Sequence, residues 1–389
     1  MPPAQPRTGA DRCPGVMRTH EALDGALARI RLPGGRIRAD QLAAAARVAT
    51  EHGDGHLELT SRGNLQLRGL HDPGAAAEAL LAAGLGSEGE ADTVRNIVAS
   101  PLAGRIGGHG GVDDTIAELD ERLRAGVVGG LSGRFLFGVD DGRGDVLAQR
   151  PDVAAQWCAD GESAALVVAD ESLGQTSRAG VVESLIRVAT RFAEVSSGAW
   201  RIRELDPAAR RALIGGLAAD LDGRAAEAPV GVDTAAPLVG WLPQDDGAVM
   251  LGALAPAGRL PARTAAFLAA VDAPIIVTPQ REILLADLTE AVADTVLRVL
   301  APMGLVFDAN SPWTLLSCCA GRPGCARAQA DVRADIAAYV STTTPSSREH
   351  WVGCSRGCGS PTTQHVRVEA QSDGTYRRTV LGSQAPPAR

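Results

Sequence analysis

Apolar and polar positions along this chain fall into two periods, and they change over in the same order twice. Leu42, Ala45, Ala46 and Val48 recur at helical spacing, which predicts a helix over 40–51. Leu57, Leu59, Leu65 and Leu67 alternate with polar neighbours, which predicts strands between 57 and 69. A strand over 29–32 should precede the Pro33-Gly34-Gly35 turn, and a second helix should cover 74–83. About 220 residues later the order returns. Gly35-Arg36-Ile37-Arg38-Ala39 corresponds to Gly258-Arg259-Leu260-Pro261-Ala262, and Leu59-Thr60-Ser61-Arg62 to Val277-Thr278-Pro279-Gln280. Gly84-Leu85 corresponds to Gly304-Leu305, and Ile97-Val98-Ala99-Ser100 to Leu316-Ser317-Cys318-Cys319. Four matches in one order predict an internal duplication.

Each copy is followed by its own α/β stretch. The first holds an apolar strand over 134–139, a second over 164–169 and a helix over 180–192; the second holds a helix over 326–339. A Pro/Ala/Gly-rich link over 225–237 joins the halves, and the residues through Asp11 are expected to be loose. The fold class is therefore α+β, two tandem repeats related by a pseudo-twofold axis. Each repeat is a half-domain with its α/β partner, at 12–112 and 113–224, then 238–310 and 311–384.

Composition changes the picture at two points. The net charge of −8 argues against general nucleic-acid binding. No apolar run is long enough for a membrane span, and no charged-then-apolar signal segment stands at the start, so a cytoplasmic location is expected. The chain has no lysine: all 38 cationic side chains are arginine. A GC-rich genome explains most of that bias. Even so, any anion site here must use guanidinium forks, which suit carboxylates.

The strongest chemical signal is a cysteine quartet, Cys319-x5-Cys325 and Cys354-x3-Cys358, each pair in a Gly/Arg-rich loop. Four thiolates in two pairs can hold an iron–sulfur cluster. Zinc is the rival, but its structural sites bring cysteines closer together in sequence. Cys318 beside Cys319 leaves open which of the two is the ligand. Cys13 and Cys158 read as buried thiols.

Together these motifs resemble the sulfite/nitrite reductase haemoprotein superfamily. Leu59-Thr60-x-Arg62-x-Asn64-x-Gln66 is similar to its TxRxxxQ strand, Arg95-Asn96-Ile97-Val98 to its RNV element, and Leu131-x-x-Arg134-Phe135 to its LPxKF element. The likeness runs from about Arg12 to Val380. It implies a ferredoxin-like half-domain in each repeat and a 4Fe-4S cluster on Cys319, Cys325, Cys354 and Cys358. It implies that Arg62 and Arg95 face macrocycle carboxylates, and that Cys358 is the residue that in reductases bridges cluster and sirohaem. The chain departs from the reductase pattern at Leu136, where a second basic residue binds the small oxyanion. Losing one such cation removes charge-assisted bonds of roughly 1.5–3 kcal/mol each.

Arg31-Leu32-Pro33-Gly34-Gly35 and Asp140-Asp141-Gly142-Arg143-Gly144-Asp145 resemble one branch of that superfamily. Its members hydroxylate precorrin-3A with oxygen and close a lactone, in aerobic cobalamin biosynthesis. The resemblance implies a mononuclear non-haem iron beside the cluster, a precorrin-type tetrapyrrole substrate, and electrons that originate from NADH. The expected activity is that of an oxidoreductase, a monooxygenase. Sirohaem enters only under the alternative of a sulfite or nitrite reductase. A non-catalytic iron–sulfur or zinc scaffold is the third reading.

The candidate substrate cradle is Arg29, Arg31, Arg62, Asn64, Gln66, Arg95 and Arg134. Arg62, Asn64, Gln66 and Arg68 stand at every second position, which predicts a donor-rich stripe on one sheet face, extended by Arg29 and Arg31. Alone, Arg62 also reads as a solvated edge charge. No histidine set shows an iron-binding signature, and Asp140, Asp141 and Asp145 read as a hydrated turn. The Gly-rich 104–111 stretch lacks a phosphate-loop ending, so the electrons should arrive through a separate NADH-linked donor protein.

Overall fold

The computed structural model describes residues 11–220 and 236–382. The expected loose residues 1–10 and most of the 225–237 link lie outside them. The first half runs β1 (His20–Ala22), β2 (Gly25–Ile30), β3 (Arg36–Ile37), α1 (Ala39–His52), β4 (His56–Leu59), β5 (Leu65–Leu70), α2 (Pro73–Ala82), α3 (Ala91–Val94) and β6 (Ile97–Ala99). It continues through α4 (Asp113–Arg124), β7 (Phe137–Asp140), β8 (Val153–Trp157), β9 (Ser163–Val168), β10 (Glu171–Ser177), α5 (Val181–Val195) and α6 (Pro207–Asp220). The second half runs β11 (Gly240–Pro243), β12 (Val249–Leu254), β13 (Arg259–Pro261), α7 (Ala262–Ala269), β14 (Ile275–Val277), β15 (Glu282–Leu288) and α8 (Glu290–Leu300). Then follow β16 (Leu316–Cys318), α9 (Val332–Thr342), β17 (Glu349–Val352), β18 (His365–Ala370) and β19 (Tyr376–Leu381).

The duplication is realised as an exchange of strands. One five-stranded sheet has the order β1-β2-β5-β4-β13, and its counterpart the order β11-β12-β15-β14-β3. Each half lends one short strand to the other's sheet. Leu260 pairs with Leu57, and Ile37 with Ile275, both antiparallel. α1 and α7 follow the exchanged strands and pack on each other, so one hydrophobic core spans both half-domains. α1 supplies Leu42, Ala45, Ala46, Val48 and Ala49 from a single face, as its spacing requires.

The two α/β domains also share a plan. β6, β7 and β8 run parallel, with β9 and β10 antiparallel; β16, β17 and β18 run parallel, with β19 antiparallel. β6 and β16 thus occupy equivalent edges, as the alignment of Ile97 with Leu316 predicts.

Three boundaries differ from expectation. The 29–32 strand is Gly25–Ile30, because Leu32 N–H leaves the ladder to donate to Asn64 Oδ1 at 2.7 Å. The 134–139 strand begins only at Phe137, because Leu136 N–H donates to Asp152 Oδ2 at 2.9 Å. The 326–339 helix begins at Val332, with Asp331 as its cap accepting from Ala334 N–H at 3.2 Å. The residues before it form the loop that carries Cys325.

Candidate functional site

The site is built at the end of β16, where the chain alternates faces. Cys318, the last strand residue, points into the domain core with its Sγ 3.9 Å from the Ala257 carbonyl, and burial pushes its thiol up to about 11. Cys319 points the other way. Its Sγ accepts the Gly353 N–H at 3.2 Å. Burial raises its thiol, opposed by that hydrogen bond, with Cys358 and Cys325 as nearby groups that add to the rise. Cys319, not Cys318, therefore shares a locality with Cys325 and Cys358. None of the seven cysteines is in a disulfide.

The loops around these thiols are anchored by both halves. Arg68, bonded to both oxygens of Asp24 at 2.9 Å, also donates to the Gly324 carbonyl at 2.9 Å. Arg281 Nη2 donates to the Gly359 carbonyl at 2.9 Å. His350 is buried between Ser317 Oγ at 2.8 Å and the Cys358 carbonyl at 3.0 Å. Burial first, and then Arg281, hold its imidazole down to about 3. It is therefore a neutral strut at ordinary pH.

Arg281 is a left-handed residue, with φ 68°. It stands where the first repeat has Gly63, with φ 64°. The turns match bond for bond: Thr60 N–H donates to Asn64 O, and Thr278 N–H to Glu282 O, both at 2.9 Å. Backbone strain at a non-glycine residue is retained here where its guanidinium reaches the cysteine loop.

Between the halves lies a cavity of about 290 Å³. Arg62, Leu136 and Arg201 line it from the first half, and Arg281, Arg348 and Gly359 from the second. Arg62 is half-buried in the turn between β4 and β5 and makes no side-chain hydrogen bond or ion pair among the described residues. Burial, and then Arg201 and Arg29, hold its guanidinium down to about 10.

The other sequence candidates are distributed differently. Arg29 donates to Gln66 Oε1 at 3.0 Å and keeps a buried Nε without a partner among the described residues, with Arg134 and Cys358 nearby. Arg134 lies over the Trp200 ring at 4.8 Å, and its buried Nε also has no partner among the described residues. Arg31 donates to the Thr93 carbonyl and lines a second cavity of about 830 Å³.

The expected donor stripe does not exist as a free surface. Asn64 is buried and accepts from Leu32 N–H, while Gln66 donates to Glu58 Oε2 at 2.8 Å. Arg68 is consumed by Asp24 and Gly324. Arg95 is fully buried, bonded to Asp120 at 2.8 Å and to the Ala91 carbonyl. Only Arg62 of that set is left with an uncommitted charge on the central cavity. Sequence reasoning missed Arg201 and Arg281. The repeat alignment places Arg281 beside Gln280, the counterpart of Arg62; no sequence signal marks Arg201.

The acidic turn also departs from expectation. Asp140 and Asp141 are fully buried, not hydrated. Together with Asp145 they bring carboxylate oxygens within 4.8 Å of one another. Asp140 accepts N–H groups from Gly142, Gly144 and Val146; Asp141 is paired with Arg143 at 2.6 Å. Asp145 accepts from Ser100 Oγ at 2.5 Å, and burial, then Asp140, push it up to about 7. Both oxygens of Asp140 and of Asp141 and one of Asp145 are already committed to the turn, so the residues do not fit an iron site, and no step is assigned to such an iron.

Comparison with known proteins follows this geometry. Residues 20–82 match the nitrite/sulfite reductase ferredoxin-like half domain. The match covers β1 through α2, the part of the chain that carries Arg62. The whole chain is similar to a precorrin-3B synthase of Sinorhizobium sp., 28% identical over 98% of this chain and 84% of that protein. Residues 20–82 therefore place a half domain of the nitrite/sulfite reductase superfamily in this chain. The chain is also similar to the ferredoxin–nitrite reductase of Synechococcus elongatus, 44% identical over 82 residues, which are 20% of this chain and 16% of that one. Its fold matches the NirA protein of Mycobacterium tuberculosis with a TM-score of 0.74 and 18% identity, over 97% of this chain and 78% of the other. The fold is thus an α+β architecture built from repeated ferredoxin-like sheet and helix modules. Among the described residues, no helix is long and apolar enough to cross a membrane.

Proposed function

We propose that the chain is a precorrin-3B synthase-like monooxygenase: it hydroxylates precorrin-3A with oxygen and closes the lactone, in aerobic cobalamin biosynthesis. The observation that carries this reading is the central cavity, which is lined together by Arg62, unpaired among the described residues, by the apolar Leu136 and by Gly357 and Gly359 of the cysteine loop. Guanidinium groups at its rim suit a macrocycle bearing several carboxylates. Arg62, Arg29 and Arg134 bind and orient that macrocycle. Leu136 leaves its part of the wall without the second basic group that a small oxyanion requires.

Cys319, Cys325, Cys354 and Cys358 would hold the 4Fe-4S cluster; the donor set is right, and the Gly353 N–H already points at one sulfur. Bound there, the cluster supplies single electrons, which side chains cannot do. A separate NADH-linked protein delivers them. Arg281 and His350 hold the Cys358 loop against the cavity through the Gly359 and Cys358 carbonyls, which fixes the distance between the sulfur ligands and the substrate edge.

The second reading is a sirohaem-dependent nitrite or sulfite reductase. The match to the Synechococcus elongatus ferredoxin–nitrite reductase favours it. Anaerobic purification separates the two. The monooxygenase reading expects a broad visible shoulder without macrocycle bands, and oxygen-dependent conversion of precorrin-3A. Intense bands of an iron-loaded macrocycle, with reduction of sulfite or nitrite, would replace it with the second reading.

A further inference from the structure

Arg201 follows α5 and precedes a short 3-10 turn at Ile202–Glu204. Its Nε donates to Asp152 Oδ2 at 2.8 Å, and its Nη2 to the Arg150 carbonyl at 2.6 Å. Asp152 is fully buried and also accepts the Leu136 N–H at Oδ2 and the Ile202 N–H at Oδ1. One carboxylate therefore fixes both Leu136 and Arg201 on the same cavity wall. Arg201 Nη1 has no partner among the described residues. Arg62 lines the same cavity, and its guanidinium has no partner among them. Arg201 is the charge that most depresses the Arg62 guanidinium after burial itself.

Two guanidinium groups near each other in a half-buried wall repel, and Asp152 is bonded to only one of them. An anion between them removes that cost and satisfies the free N–H groups of both. Leu136 beside them offers an apolar surface, which suits a carboxylate carried on a hydrocarbon arm better than a free, fully hydrated oxyanion.

We infer that Arg201 and Arg62 together bind one oxyanion, and that this oxyanion is a side-chain carboxylate of the tetrapyrrole. The inference rests on the proposed tetrapyrrole reading and adds Arg201 to its binding residues. Asp152 acts through Arg201: it orients the fork and holds Leu136, and is itself a positioning residue.

The test is fluorescence titration of the full-length protein with uroporphyrin, an eight-carboxylate tetrapyrrole. Arg201→Met should weaken binding roughly tenfold or more. That variant also leaves the Asp152 carboxylate buried and unpaired, so Asp152→Asn/Arg201→Met is measured beside it. The double variant should bind as weakly as Arg201→Met, while Asp152→Asn alone, which keeps an acceptor for the fork, should weaken binding by less than Arg201→Met does. Recovery of wild-type affinity in the double variant would mean that Arg201 only supports the fold, and would overturn the inference. Arg62→Met/Arg201→Met should lose little more than the weaker single variant, since both residues hold one carboxylate; fully additive losses would assign them separate anions and overturn it. A parallel sulfite titration distinguishes the sources: sulfite binding lost in Arg201→Met with uroporphyrin binding intact overturns the carboxylate assignment. Failure of the wild-type protein to bind uroporphyrin overturns the tetrapyrrole reading itself, and this inference with it.

Discussion

At the scale of single residues, neighbours in sequence have opposite tasks. Cys318 and Cys319 are adjacent, yet one is a core thiol and the other accepts the Gly353 N–H beside the loops that carry the remaining cysteines of the proposed cluster. Cys318→Ala should cost about 1 kcal/mol of stability and leave the visible shoulder of the purified protein unchanged. Cys319→Ala should abolish that shoulder; absorption spectra of the two proteins decide it. Asp145 carries a pH prediction. Its folded-state value is raised to about 7, above the ordinary carboxylate range, so the folded protein binds a proton there that the unfolded chain releases. Stability from this group is full below the ordinary carboxylate range and is lost as pH rises through about 7. Asp145→Asn should therefore stabilise the protein at pH 8 relative to wild type and change little at pH 4, read by urea denaturation at both values. An equal effect at the two pH values would contradict the assignment.

At the scale of elements, the exchanged strands depend on backbone contact. Gly35 has φ 78°, and an added Cβ would stand 2.1 Å from the Val277 carbonyl oxygen in the other half's sheet. Gly55, at φ 77°, has nothing within 4 Å of the same position. Gly55→Ala thus pays only backbone strain of about 1 kcal/mol, whereas Gly35→Ala must also displace β14 and should cost at least about 2 kcal/mol more. Urea midpoints of the two variants test the difference. The helices and most strands were legible from spacing because each buries one face. The boundaries were not, because side chains outside the ladder decided them: Asn64 Oδ1 ends β2 early, and Asp152 delays β7.

At the scale of the whole molecule, neither half completes its own sheet. β3 and β13 lie in the sheets of the opposite halves, and one core spans both. Residues 1–220 and 236–389, expressed separately, should each lack a cooperative melt, because each sheet would lose an edge strand and expose its apolar seam. Coexpressed, the two pieces should co-purify as one complex with a single transition, as size-exclusion chromatography and calorimetry would show. Independent, cooperative folding of either piece would contradict the exchange.

The amino-acid sequence by itself determined the duplicated α+β plan and the cysteine spacing. Those rest on local periodicity and on residues close in the chain. Only the tertiary structure decided which cations are free to meet a ligand. Asp120 neutralises Arg95, Asp24 and Gly324 engage Arg68, and Glu58 and Arg29 share Gln66. These partners lie far apart in sequence or in other elements. A guanidinium's availability is set by what folding places beside it, and for that reason Arg62 kept its place in the candidate site while Arg201 emerged only from the fold.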